Sequence, residues 1–126
     1  MAKKLLIGAD VFVDYLMGEP RAREFFEQLP EGTFYYSPLT MFELLSASVC
    51  ADPAVRNSTN ALLSLGKKIE LDDSLVSSAA ELGRQYNLSV TDAVIVASAI
   101  YLKAELVTKK VGELKKIANL LLMKPY

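Results

Sequence analysis

Short apolar runs alternate along this chain with longer segments whose apolar residues recur at helical spacing. The runs that predict strands cover residues 4–9, 33–37, 67–71, 105–108 and 119–123. The segments that predict helices cover residues 11–17, 21–29, 38–50, 53–65, 74–86, 91–103 and 111–118. Strands that alternate with helices are typical of a parallel sheet covered on both faces. The pattern therefore predicts an α/β fold.

Local signals mark several helix ends. Ser37-Pro38 and Asp52-Pro53 each place a capping side chain before a proline at the first helical position, and Gly66 follows the end of the second of these helices. The segment 91–103 is apolar nearly all round, so we expect this helix to lie buried in the middle of the domain.

The size and composition of the chain indicate a single domain over residues 1–126 with a substantial core. Apolar residues make up 52% of the 126 residues, which excludes disorder. The longest apolar stretch, residues 93–102, is about half of the roughly 18 residues that a membrane span needs. The apolar run near the N-terminus is short and ends in an acid, so it is interpreted as a first strand rather than a signal peptide. We expect no membrane association.

The chain has one cysteine and no histidine. A single cysteine, Cys50, cannot form an internal disulfide, which fits a reducing cytoplasm, and its apolar segment predicts a buried structural thiol. The absence of histidine excludes Ser-His-Asp and Cys-His catalysis and most zinc sites. The net charge of −1 does not indicate a nucleic-acid-binding protein, although six lysines follow residue 102. From charge alone, these lysines fit a solvated surface equally well.

Three acids each stand alone in an otherwise uncharged apolar segment: Asp10, Glu43 and Asp92. An ionised carboxylate removed from water costs several kcal/mol unless a positive charge pairs with it. If the fold brings the three together, their mutual repulsion adds to this cost, and a divalent cation relieves it.

The order of the elements predicts that the acids meet. Asp10 directly follows the first strand, Glu43 lies in the helix after the second, and Glu113 comes shortly after the fourth, while Asp92 lies in the first turn of the buried helix. Ligands of parallel sheets bind beyond the carboxyl ends of the strands. We therefore predict a Mg²⁺ or Mn²⁺ site in which Asp10 and Asp92 bind the metal and Glu43 completes or orients the site. Alternatively, helix dipoles favour Asp10 and Asp92 near helix N-termini, and Glu43 is a surface residue. This alternative does not explain why each acid lies in an otherwise uncharged segment.

Four segments carry a resemblance to PIN domains of the kind found as the toxin half of VapBC toxin–antitoxin pairs. They are LIGADVFVDYL (6–16), SPLTMFELLSA (37–47), LSVTDAVIVASA (88–99) and LVTKKVGEL (106–114). The resemblance implies a three-layer α/β/α sandwich with a five-stranded parallel sheet, magnesium- or manganese-dependent ribonuclease activity and homodimerisation. It also implies an RNA substrate and a cognate antitoxin that blocks the acidic groove.

The last segment departs from the PIN pattern. Relatives usually carry an arginine or similar residue and then aspartate or asparagine after the threonine, whereas this chain has Lys109 and Lys110. The ammonium of Lys110 can occupy a second-metal position, or both lysines can contact the RNA backbone. Glu113 is then the candidate for the missing fourth carboxylate of the catalytic set.

Three functions are compatible with parts of this pattern. The first is a metal-dependent ribonuclease toxin, and the second is a degenerate PIN domain that binds RNA or protein without cutting. The third, a response-regulator-like phosphoacceptor, requires an acidic pair after the first strand and a lysine after the last, an order that this chain lacks. A homodimer is also expected because Leu62, Leu63 and Leu65 predict more apolar helix surface than one core needs.

Overall fold

The computed structural model describes residues 3–126. The strands are β1 (Leu5–Ile7), β2 (Phe34–Tyr36), β3 (Lys67–Lys68), β4 (Glu105–Val107) and β5 (Leu121–Met123). The helices are α1 (Ala9–Leu16), α2 (Pro20–Glu27), α3 (Pro38–Ser46), α4 (Pro53–Ser64), α5 (Asp73–Tyr86), α6 (Val90–Leu102) and α7 (Val111–Leu114), with a 3-10 helix at Ser48–Ala51. All predicted strands and helices are present, and most are shorter than predicted.

The strands form one five-stranded sheet in the order β3-β2-β1-β4-β5, and every neighbouring pair is parallel. The chain leaves β1 towards β2 on one side and returns to β4 on the other. The predicted parallel sheet is confirmed, and β1 lies at its centre. The adjacent ends of β1 and β4 form the switch point at which such sheets bind ligands.

Helices cover both faces of the sheet, which confirms the three-layer arrangement. Leu6 of β1 points into a core formed with α5, α6 and α7, whereas its neighbours Leu5 and Ile7 point into a second core with α1 to α4. This alternation is the ordinary period of a strand. Seven consecutive residues of α6, Ala93–Ala99, are buried, as its uniformly apolar sequence predicts.

The helix predicted over residues 38–50 ends earlier than expected. Ala47 leaves the helical region with a ψ of 141°, and the chain resumes as the 3-10 helix. This break turns Cys50 into the core, where its Sγ lies 3.2 Å from the carbonyl oxygen of Leu44 and 3.7 Å from Thr59 Oγ1. The buried thiol is confirmed. Tertiary packing decided the end of α3, because no glycine or proline marks it.

The expectation of surplus apolar surface at the end of α4 was wrong for two of the three leucines. Leu62 and Leu63 are buried in the core beside α1 and α3, and only Leu65 is exposed. Leu62 and Leu63 share this core with Phe34 and Tyr36 of β2. Within residues 3–126, no helix combines the length and apolarity that crossing a membrane requires.

Candidate metal centre at the carboxyl edge of the sheet

A cavity of about 250 Å³ opens beyond the carboxyl ends of β1 and β4. Three of the four predicted acids, Asp10, Glu43 and Asp92, line it. Thr108 and Lys110, from the segment after β4, complete its polar wall. The sheet topology explains this convergence, because the segments after β1 and β4 lie side by side and α6 begins at the same edge.

Asp10 lies in the first turn of α1 and is held by the segment after β4. Its Oδ2 accepts hydrogen bonds from Thr108 Oγ1 at 3.1 Å and from the backbone N–H of Lys109 at 2.8 Å. Its Oδ1 lies over Gly8, where a methyl group would stand only 2.8 Å from it. Because both donors bind the same oxygen, Oδ1 keeps its lone pairs for another partner.

Asp92 lies in the first turn of α6, three residues after the capping residue Ser89. Ser89 Oγ accepts a hydrogen bond from the Asp92 backbone N–H at 3.2 Å, and the helix begins at Val90, one residue before the predicted start. The ammonium of Lys110 lies 3.4 Å from both carboxylate oxygens of Asp92. This ion pair joins residues 18 positions apart and brings a lysine to the wall of the acidic cavity.

The other two acids are exposed. Glu43 lies on α3 and lines the cavity. Glu113 lies in α7 and does not line the cavity; it borders a neighbouring depression that it shares with Asp92. The structure therefore brings three of the predicted acids together and leaves Glu113 beside them.

The carboxylates are less isolated than their segments indicate. Asp10 and Asp92 are half-buried, and each has hydrogen-bond donors or a cation that stabilises its charge. Among the described residues, no three side chains of the types Asp, Glu, His or Cys lie close enough together to hold a metal ion as they stand. The expectation that these acids lack partners was wrong for Asp10 and Asp92, because long-range contacts supply donors and a cation that the local sequence does not contain.

Asp14, one turn after Asp10 on α1, is a further acid near the cavity that the sequence analysis did not identify. Its Oδ2 lies 2.7 Å from the Lys109 ammonium and accepts a hydrogen bond of 2.6 Å from the Tyr126 hydroxyl. These two hydrogen bonds hold the pKa of Asp14 below its usual value. Burial and the bond to Asp14 raise the pKa of Tyr126. The spacing of four residues from Asp10 was the available signal, since it places both acids on one face of α1.

The oxygen donors of the cavity fit a magnesium or manganese ion. Mg²⁺ is commonly held by one or two carboxylates while substrate phosphates and water fill the rest of its shell. Asp10 Oδ1 and the carboxylate of Asp92 are suitable donors in the cavity wall, and Glu43 lines the same cavity. Lys110 competes for Asp92, so a cation that binds Asp92 must displace or share the lysine.

Several known structures are similar to this chain over nearly its whole length. The fold is similar to a toxin–antitoxin complex from Klebsiella pneumoniae, with a TM-score of 0.81, 22% identity, and coverage of 97% of this chain and 98% of that chain. It is also similar to DNA-bound VapBC from Salmonella typhimurium, with a TM-score of 0.79, 16% identity, and coverage of 98% and 99%. A third similar structure is VapBC-1 from nontypeable Haemophilus influenzae, with a TM-score of 0.78, 15% identity, and coverage of 97% of this chain and 98% of that chain. No curated protein matches the sequence.

At these identities, the structural likeness concerns the fold alone. The sequence itself matches the family model described as PIN domain over residues 6–119, which covers most of the chain and includes every acid that lines the cavity. The chain therefore belongs to the PIN domain family.

Proposed function

We propose that this protein is a Mg²⁺- or Mn²⁺-dependent ribonuclease that hydrolyses RNA phosphodiester bonds and acts as the toxin of a toxin–antitoxin pair. One observation carries the proposal: Asp10, Glu43 and Asp92 line a single cavity at the switch point of the parallel sheet. Membership in the PIN family and the toxin–antitoxin complexes among the similar structures support it.

In this proposal, each acid has a defined task. Asp10 and Asp92 bind the metal, and Glu43 completes or orients the site. When bound, a divalent cation supplies the charge that activates a water molecule and stabilises the leaving oxygen of a phosphodiester. Thr108 and the Lys109 amide keep the Asp10 carboxylate aimed at the cavity.

Lys110 determines how many cations the site needs. Its ammonium already places one positive charge at 3.4 Å from Asp92, which lowers the demand of the carboxylates for a second cation. We propose a one-metal site for this reason. Lys110 is also proposed to contact an RNA phosphate, since its side chain is 44% exposed at the rim of the cavity.

Glu113 is proposed as a fourth, outer carboxylate that acts through the depression it shares with Asp92. If it contributes to metal binding, Glu113→Gln should weaken Mn²⁺ binding by about 1–2 kcal/mol, roughly ten- to thirtyfold. An unchanged dissociation constant in isothermal titration would remove Glu113 from the site.

The function is tested by cleavage of single-stranded RNA in Mn²⁺ or Mg²⁺. We expect cleavage by the wild type, no cleavage in excess EDTA, and a loss of at least about a hundredfold in Asp10→Asn and Asp92→Asn. Asp73→Asn is the matched control, because Asp73 also lies in the first turn of a helix and is exposed away from the cavity. Metal-independent cleavage, or equal activity in Asp92→Asn, would refute the proposal.

A second candidate, a PIN domain that binds RNA or protein without cutting, is favoured by the Lys110–Asp92 ion pair. If the Lys110 ammonium stays paired with Asp92, this carboxylate is not free to bind the metal ion that hydrolysis requires. RNA binding without cleavage in any divalent metal, together with cleavage restored by Lys110→Asp, would establish this candidate.

The proposed partners are RNA, an antitoxin that blocks the acidic cavity and a second copy of the chain, and the proposed location is the cytoplasm. Expression in a bacterial host should arrest growth, and Asp92→Asn should relieve the arrest.

Exposed apolar side chains such as Phe42 and Val90 support the homodimer. A monomer mass by light scattering at tens of micromolar protein would contradict it.

A further inference from the structure

Lys109 is bound at both ends to helix α1. Its backbone N–H donates to Asp10 Oδ2 at 2.8 Å, and its ammonium lies 2.7 Å from Asp14 Oδ2. Asp10 and Asp14 are four residues apart in the helix and therefore lie on the same face. One residue of the segment after β4 thus spans a full turn of α1.

The far end of this connection is fixed by Tyr126. Its hydroxyl donates to Asp14 Oδ2 at 2.6 Å, so a single carboxylate oxygen receives both the phenol and the ammonium. The guanidinium of Arg21 lies 5.0 Å from the centre of the Tyr126 ring and is held by Glu19 at 2.7 Å. These contacts restrict Tyr126, and Tyr126 in turn restricts Asp14.

Asp14, Lys109 and Tyr126 do not line the acidic cavity themselves. The Lys109 amide does touch Asp10, and the same short segment carries Thr108 and Lys110, which contact Asp10 and Asp92. Whatever holds residues 108–110 against α1 therefore sets the direction of two acids at once. Partners that orient a ligand in this way commonly change metal affinity by tenfold or more.

We infer that Asp14, Lys109 and Tyr126 are positioning residues that hold the 108–110 segment against α1, so that Asp10 directs Oδ1 into the cavity. The inference rests on the proposed function in treating Asp10 as a metal ligand. It assigns the Lys109 side chain to Asp14 rather than to an RNA phosphate.

Two conservative variants test the connection. Tyr126→Phe removes only the hydroxyl, and Lys109→Met removes the ammonium but keeps the backbone N–H that binds Asp10. We expect each to raise the Mn²⁺ dissociation constant, measured without RNA by isothermal titration, on the order of tenfold. Tyr101→Phe and Lys115→Met, at exposed positions away from α1, should leave it unchanged.

Three further measurements separate positioning from general damage. The half-saturating Mn²⁺ concentration for RNA cleavage should rise in Tyr126→Phe while the rate at saturating Mn²⁺ is retained. Lys109→Arg, which keeps a cation within reach of Asp14, should restore affinity. Amide hydrogen exchange at Lys109, followed by NMR without metal, should accelerate severalfold in Tyr126→Phe and not in Tyr101→Phe.

The outcomes distinguish this inference from the proposed function. Wild-type Mn²⁺ binding that is lost in Asp10→Asn but unchanged in Tyr126→Phe and Lys109→Met overturns the inference alone. If the wild type binds no Mn²⁺, the proposed metal site fails, and the exchange rate at Lys109 still decides whether the connection holds the segment. An unchanged exchange rate in Tyr126→Phe overturns the inference in either case.

Discussion

At Gly8, a methyl group would lie 2.8 Å from Asp10 Oδ1 and 3.2 Å from the carbonyl oxygen of Val107. Gly8 has a φ of −73°, so its backbone is open to any residue, and the limit at this position is space. The missing side chain lets Asp10 Oδ1 lie close to the backbone that follows β1. Gly8 therefore leaves the space that the proposed metal ligand needs, while Thr108 and the Lys109 amide orient it.

We predict that Gly8→Ala folds, with a loss of about 1 kcal/mol in unfolding free energy, because the Asp10 side chain can rotate away from the methyl group. The rotation should weaken Mn²⁺ binding by about tenfold, measured by isothermal titration. Gly112→Ala is the control, since no atom lies within 4 Å of the added methyl group. Unchanged metal affinity in Gly8→Ala would show that the orientation of Asp10 does not matter.

Lys110 is the second residue that distinguishes this site. Because its ammonium lies 3.4 Å from both oxygens of Asp92, Lys110→Asp replaces a competing cation with a possible ligand. We predict about tenfold tighter Mn²⁺ binding and faster RNA cleavage. Lys115→Asp makes the same charge change in an exposed residue outside the cavity. An equal gain in that control would indicate a general effect of net charge.

At the scale of elements, Gly66 allows the turn before the edge strand β3 to pack closely against Phe34 of β2. A Cβ at this position would lie 2.6 Å from Cδ2 and 2.8 Å from Cζ of Phe34, whose ring is buried in the core beside α1. The N–H of Gly66 also donates to the carbonyl oxygen of Leu63 at 3.0 Å, which ends α4 close to β3. The turn between α4 and β3 therefore needs a residue without a side chain.

We predict that Gly66→Ala lowers the unfolding free energy by about 1–3 kcal/mol, because the Phe34 ring must leave its position in a packed core. Urea unfolding followed by circular dichroism measures this loss. Metal affinity should stay at the wild-type value, since Gly66 is remote from the cavity. Stability equal to that of Gly112→Ala would contradict the predicted clash.

At the scale of the whole molecule, Asp14 joins α1 to the segment after β4 and to Tyr126. Its pKa is lowered in the folded protein by the hydrogen bonds from Lys109 and Tyr126. A lowered folded-state pKa adds stability above the unfolded-state pKa, and this stability is lost as the pH falls through the folded-state value. The contribution of Asp14 is therefore present at neutral pH and lost below about pH 4.

We predict that Asp14→Asn is less stable than the wild type by about 1 kcal/mol at pH 6, a modest value because the ion pair is partly exposed. The difference should shrink as the pH falls from 4 towards 2, because the wild-type carboxyl then becomes protonated. Urea unfolding of both proteins across this range measures it. A difference that is constant with pH would show that packing, and not charge, stabilises the connection.

The sequence by itself determined the order and type of the elements, the parallel sheet and the edge at which Asp10, Glu43 and Asp92 meet. Apolar periodicity and capping residues are local signals, and connectivity follows from strands that alternate with helices. Only the tertiary structure decided the partners of these acids. Thr108 and Asp10 are 98 positions apart and Tyr126 and Asp14 are 112 apart, and no local pattern encodes contacts across such separations. The tertiary structure also decided the place of Glu113, because the short helix α7 puts it beside the neighbouring depression and not in the cavity.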